Sequence, residues 1–255
     1  MGERHVTWEG FYNARDLGGL SNRAGRALRY GQLIRSADLR FVTALGWHAA
    51  HDAGVRTVVD LRNDREARGT ADAVDAARHA EICRVHVPLD GIEDVELWRF
   101  LRSQEIHGTP LYYRPFLERK AERVVAVLTA IAQAETGAVI FHCSAGRDRT
   151  GLVSLLLLAL ADVDIETIAD DYELTTEPLR SLFQRMGMGD GDLDQVAGLM
   201  ARKNMTARDA LRQTVENLDV EAYLLGAGMS PADLVRLRAR LLDDGAKVEG
   251  VEAIR

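Results

Sequence analysis

Cysteine is almost missing from this chain: Cys83 and Cys143 are the only two among 255 residues. Two thiols do not make the multi-bridge framework of a small secreted domain, so a reducing compartment is the expectation. Apolar runs of spanning length are also lacking. The leucine-rich stretch Leu152–Ala161 stops well short of the roughly 18–20 residues that cross a bilayer, so no stable membrane insertion is expected. Positive charge is in deficit, with 32 Lys and Arg against 39 Asp and Glu and a net charge of −7. That balance argues against nucleic acid or an anionic membrane as a bulk partner. Met1–Trp8 carries charges and no apolar core, so no signal peptide is expected, and a cytoplasmic enzyme is the first reading, with leaderless secretion as the other route. No His, Asp and Glu cluster shows metal-ligand spacing, and neither a metal nor a cofactor is expected. There is no internal repeat, and one α/β domain over residues 1–255 can bury a sizeable core.

What is present is concentrated in ten residues, His142-Cys143-Ser144-Ala145-Gly146-Arg147-Asp148-Arg149-Thr150-Gly151. Ala138-Val139-Ile140-Phe141 before them is a short β-branched and aromatic run that fits a strand buried on both faces. Leu152–Ala161 after them fits a buried helix. The loop between therefore ends at a helix N-terminus, where unpaired amides and the positive end of the macrodipole favour an anion. A cysteine at such a place ionises more readily than a free thiol, and Cys143 is expected to attack phosphorus as a thiolate. Arg149 supplies a planar fork for two phosphoryl oxygens. The backbone of Ser144, Ala145, Gly146, Arg147, Asp148 and Arg149 is expected to bind the phosphoryl group as its charge rearranges. Thr150 is expected to hydrogen-bond the sulfur, and His142 to brace the loop. The plain structural alternative, a buried cysteine beside a solvated Arg-Asp-Arg turn, leaves unexplained why these residues converge on one helix start.

The stretch resembles the H-C-x5-R-[ST]-G signature of the cysteine-dependent protein tyrosine phosphatases and matches it at every fixed position. More narrowly it is similar to the bacterial tyrosine/lipid phosphatase branch, whose loop reads H-C-x-x-G-K-D-R-T-G. Asn13-Ala14-Arg15-Asp16-Leu17-Gly18-Gly19, Val58-Val59-Asp60-Leu61-Arg62 and Val220-Glu221-Ala222-Tyr223-Leu224 agree with that branch too. The resemblance runs from about Phe11 to Leu242. It implies a dual-specificity-phosphatase-like fold, a phosphocysteine intermediate, and a phosphotyrosine protein or a phosphoinositide as substrate. Arg147 stands where the branch usually has lysine, which keeps the charge and changes its geometry. An inactive phosphate-binding module is the alternative, and intact Cys143 and Arg149 weigh against it. Rhodanese or arsenate-reductase chemistry fits less well, because the former does not need the Arg149-Thr150-Gly151 ending and the latter needs resolving thiols.

Leaving-group departure needs a proton donor. The chain has no Trp-Pro-Asp sequence, and three aspartates compete. Asp90 ends Val85-His86-Val87-Pro88-Leu89, a segment similar to the one that delivers the dual-specificity acid; alternatively it caps the following helix. Asp148 lies in the loop itself, as in the bacterial branch; alternatively it orients Arg147 or Arg149. Asp60 closes a strand; alternatively it pairs with Arg62 or Arg15.

The remaining pattern is that of a parallel-rich central sheet flanked by helices, with a helical C-terminal third. Helices are expected over Leu45–Ala53, residues 92–104, Ala121–Ala134 and Pro231–Leu242, and strands over Arg56–Leu61 and Ile82–Leu89. In the latter Cys83 reads as core-facing, with a reversible disulfide to Cys143 as a minor alternative. Gly187, Gly189 and Gly191 read as a hinge, and residues 183–218 resemble the mobile helical lid of the bacterial branch.

Overall fold

The computed structural model describes residues 4–68, 81–189 and 191–243. The chain opens with β1 (Arg15–Asp16) and β2 (Leu33–Ser36). Helix α1 (Ala44–Asp52) starts where the Thr43 hydroxyl accepts from the Gly46 amide, and Gly54, at φ +90°, turns the chain into β3 (Val55–Asp60). Then come α2 (Asp64–Arg68), β4 (Cys83–His86), α3 (Val95–Ser103), α4 (Tyr113–Arg119) and α5 (Ala121–Gln133). Strand β5 (Ala138–His142) leads into α6 (Asp148–Leu160). The rest is helical: α7 (Ile165–Glu173), α8 (Thr176–Arg185), α9 (Gly191–Arg202), α10 (Ala207–Val215), α11 (Val220–Gly226) and α12 (Pro231–Leu241).

The five strands lie in the order β1-β2-β5-β3-β4, with β1 antiparallel to β2 and the other pairs parallel. Every residue of the central β5 is buried, as a strand covered on both faces must be. Its alternate side chains feed two layers. Val139 and Phe141 enter the larger core with α5, α6 and α12, whereas Ala138 and Ile140 pack with Phe11 and Trp47 on the α1 side. Helix α6 is apolar on all sides because it is enclosed: Leu152, Leu155, Leu156, Leu157 and Leu158 are all within 1 % of full burial. Burying each such side chain stabilises the fold by about 1.5–3 kcal/mol, so this helix start is firmly seated. Among the described residues no helix is long and apolar enough to cross a membrane.

The expected strand at Ile82–Leu89 shortens to Cys83–His86 and its facing is reversed. Ile82 takes the core position and Cys83 is exposed on the edge strand. Both cysteines are free thiols, and Cys143 is buried. The helix expected over residues 92–104 begins at Val95, with Asp94 accepting from the Leu97 amide as its cap. Asp90 is thereby left out of the capping role. Ser36 and Asp60, the last residues of β2 and β3, both stand in register with His142. The loop after β5 thus emerges at the carboxyl edge of the sheet, where open α/β sheets carry their ligands.

Candidate active site

Each backbone carbonyl of residues 143–148 has a hydrogen-bond partner. The Cys143 carbonyl lies 3.1 Å from His142 Nδ1, and the Ser144 carbonyl accepts from the Asp38 amide at 2.9 Å. Asn13 Nδ2 donates to the carbonyls of Ala145 (3.0 Å) and Gly146 (3.2 Å), and Arg35 Nη2 also reaches Gly146 (3.0 Å). Gly151 N donates to Arg147, and the Tyr113 hydroxyl to Asp148. The carbonyls are taken, and several of the amides are not. Those of Ser144, Ala145 and Gly146 donate to no group among the described residues, and no side chain caps α6. Consecutive unpartnered amides at a helix start can seat an oxyanion.

Gly146 is required for the curl. It sits at φ +68°, and a Cβ there would lie 2.5 Å from the Ser36 carbonyl oxygen, on backbone that cannot step aside. Gly146→Ala should cost about 1–3 kcal/mol through the left-handed strain alone, with the clash added. The check is a urea melt alongside vanadate binding, both of which should weaken.

Arg149 projects from the first turn of α6 into a cavity of about 430 Å³. Its guanidinium is gripped by Glu66 of α2, with Nη1 at 2.6 Å from Oε2 and Nη2 at 2.8 Å from Oε1. Asp90 Oδ2 accepts from Nη1 at 2.8 Å, and the Ser144 hydroxyl donates to Glu66 Oε1 at 2.7 Å. The two carboxylates respond oppositely. Burial would raise Glu66, but the bonds and charge of Arg149 outweigh it and bring its pKa to about 2. Burial dominates at Asp90 and, with the nearby Glu66 charge, pushes its pKa up in spite of Arg149. A raised carboxyl facing a cleft is the mark of a proton donor.

The other expected site residues separate. Asp148 lines the cavity but is tied to Arg147, whose Nε lies 3.0 Å from Oδ1. Arg147 itself is buried and also donates to the Gly108 carbonyl at 3.2 Å, so its charge is spent on the loop instead of facing the cavity. Asp60 is bound by Arg62 at 2.6 Å; burial opposes its ionisation, but the bonds and charge of Arg62 hold it below the usual carboxylate range. His142 is buried, and burial pushes its pKa down, as suits a neutral brace. The Thr150 hydroxyl is buried and makes no hydrogen bond to Cys143 or to any other described group, unlike the expectation. None of the described residues between 183 and 218 lines this cavity; instead Leu193 of α9 packs with Leu182 and Phe183 beside Ala145.

A buried ionic network supports the loop from behind. Asp171 of α7 accepts from Arg35 Nη1 at 2.7 Å, from Arg15 Nε at 3.1 Å, and from Arg4. Arg15 in turn holds Asn13 Oδ1 at 2.8 Å, and Asn13 adopts φ +49° to reach the loop carbonyls. Asn13 and Arg15 belong to a segment already singled out in the sequence, but Glu66, Arg35 and Asp171 carried no local signal. Among the described residues no group of three or more His, Cys, Asp or Glu is placed to hold a metal ion.

The model of the tyrosine phosphatase family matches residues 6–243. The tyrosine-protein phosphatase of Nostoc commune is 29% identical over 220 residues, covering 82% of this chain and 73% of its own. The triple specificity protein phosphatase PtpB of Mycobacterium tuberculosis is 28% identical over 279 residues, covering 91% of this chain and 97% of its own. The crystal structure of TpbA from P. aeruginosa aligns over 88% of this chain and 99% of that one, at 18% identity and a TM-score of 0.42.

Proposed function

The chain belongs to the tyrosine phosphatase family, and from that premise we propose that it hydrolyses aryl phosphomonoesters through a phosphocysteine on Cys143. The observation that carries this reading is the loop whose carbonyls are all engaged while the amides of Ser144, Ala145 and Gly146 have no acceptor among the described residues, which leaves them as a seat for the phosphoryl oxygens. In the first step Cys143 Sγ attacks phosphorus, the bond to the leaving oxygen breaks, and a carboxylic acid gives that oxygen its proton. In the second, water attacks the phosphocysteine, and the same carboxylate takes the proton as the thiolate departs. Arg149 and the loop amides bind the equatorial oxygens in both steps. Phosphotyrosine on a protein is the favoured substrate because the fork of Arg149 lies in a cavity walled partly by Val95, Trp98 and Tyr112, which suits a long aryl group. A nucleophilic thiol works best where it stays reduced, which supports a cytoplasmic location.

Asp90 is the stronger candidate for the acid. Its pKa is raised by burial and it touches Arg149, whereas Asp148 is engaged by Arg147. The test is turnover of aryl phosphates of graded leaving-group pKa, with EDTA present, by wild type, Asp90→Asn and Asp148→Asn. Wild type should turn over all of them. Asp90→Asn should lose about 10²–10³-fold on the poorest leaving group and much less on the best, with the fall of kcat/KM at high pH flattened. A steeper leaving-group dependence in Asp148→Asn would transfer the role to Asp148. No metal-free turnover in wild type would defeat the covalent reading in favour of a phosphate-binding module.

A further inference from the structure

We propose that Arg102 is a specificity residue that receives a carboxylate from an acidic residue flanking the phosphotyrosine. The proposal rests on the phosphatase reading above. Val95, Trp98 and Arg102 stand at i, i+3 and i+7 on α3, hence on one helix face, and all three line the cavity that holds Arg149. The lower part of this wall is apolar, with Ile92 and Val95 exposed by 54% and 56%. It is also held in place: the Trp98 indole N–H donates to the Gly91 carbonyl at 3.2 Å, and its ring meets His107 edge-to-face at 5.4 Å.

The charges around the cavity are not equivalent. Arg149 is held by Glu66 and Asp90, and Arg147 by Asp148. Arg102 is exposed, and its guanidinium has no ion pair or hydrogen bond among the described residues. Of the two arginines among the described residues lining the cavity it is therefore the one without a carboxylate partner, at the end of an apolar wall suited to the aryl ring and the adjoining peptide. A single loose arginine matches a single carboxylate. A headgroup bearing several phosphates would call for several cations, and a chain of net charge −7 gives it little general attraction.

The experiment uses two phosphotyrosine peptides identical except for Asp or Asn at the positions flanking the phosphotyrosine. The readout is the acidic-to-neutral ratio of kcat/KM for wild type, Arg102→Ala, Arg102→Lys and Arg102→Glu. Kd ratios are measured in parallel in the Cys143→Ser background. Wild type should favour the acidic peptide by roughly three- to tenfold at low salt, as a solvent-facing ion pair in a cleft would. The preference should shrink as salt shortens the screening length. Arg102→Ala should bring the ratio near one, Arg102→Lys should retain most of it, and Arg102→Glu should reverse it. A wild-type ratio near one, or a ratio that Arg102→Glu leaves unchanged, overturns the proposal. So does a peptide ratio that stays fixed while Arg102→Glu loses turnover of a phosphoinositide in vesicles, which would assign the residue to lipid. Should wild type turn over neither peptide, the phosphatase reading fails, and the Kd ratios still decide the role of Arg102.

Discussion

Cys143→Ser should lose at least about 10⁴-fold in turnover while still binding vanadate or a phosphotyrosine peptide. Losses of that order follow when a covalent nucleophile is taken out of a working catalytic unit. The serine hydroxyl is not ionised near neutral pH and is a far weaker nucleophile than a thiolate, and His142, the nearest imidazole in sequence, uses Nδ1 on the Cys143 carbonyl. Binding should survive because the oxyanion seat is made by the backbone and Arg149, and its outer bonds to Asn13, Arg35 and Asp38 do not involve sulfur. Arg149→Ala offers the contrast. It should damage binding and turnover together, because it removes the fork and leaves Glu66 and Asp90 facing each other without their shared cation. Stopped-flow turnover of an aryl phosphate and calorimetric titration with vanadate read the two effects separately. Substantial turnover by Cys143→Ser would rule out the phosphocysteine route.

Asp171→Asn should destabilise the protein by about 3–5 kcal/mol, the usual cost of breaking a buried ion pair and leaving charge unmatched. Asp171 is 1 % exposed and serves Arg15 and Arg35, themselves only 2 % and 1 % exposed, together with Arg4. The amide keeps the shape and removes the one negative charge these guanidinium groups share. Burial would raise the Asp171 pKa, but Arg15, Arg35 and Arg4 more than reverse this and hold it well below the usual carboxylate range. A depressed carboxylate contributes stability that is fully present above its unfolded pKa, near 3.9, and lost as pH falls through the folded value. The gap between wild type and variant in urea melts should therefore stay constant from about pH 7 to pH 5 and close only in strong acid. A gap below about 1 kcal/mol at pH 7 would mean that the network is dispensable. Because Arg35 also holds the Gly146 carbonyl, the variant should in addition bind vanadate more weakly than wild type.

Some of this was legible in the chain itself. The run Ala138–Phe141, the curl at Gly146 and the leucines of α6 place a strand, loop and helix in one short window, where spacing alone dictates geometry. Periodicity likewise predicts α5 and α12, the latter with Ser230 accepting from the Asp233 amide as its cap. The reading slipped where local rules tie. In Glu81-Ile82-Cys83 either parity gives a plausible strand, and it is packing against α1 and β3 that sends Ile82 inward and Cys83 out. Asp90 reads as a possible cap, but the chain starts its helix later and caps it with Asp94.

By itself, then, the sequence determined the candidate nucleophile and arginine, the loop that curls between them and the parallel architecture that presents it, because each depends on residues a few positions apart. Tertiary structure alone decided the rest. Glu66 grips Arg149 across 83 residues, Arg35 meets Asp171 across 136, and Arg15 meets Asp171 across 156. It also turned Arg147 into the loop and lifted the pKa of Asp90. Burial and ion pairing are properties of groups brought together from distant segments, and no local spacing encodes which acid loses its water and which gains a cation.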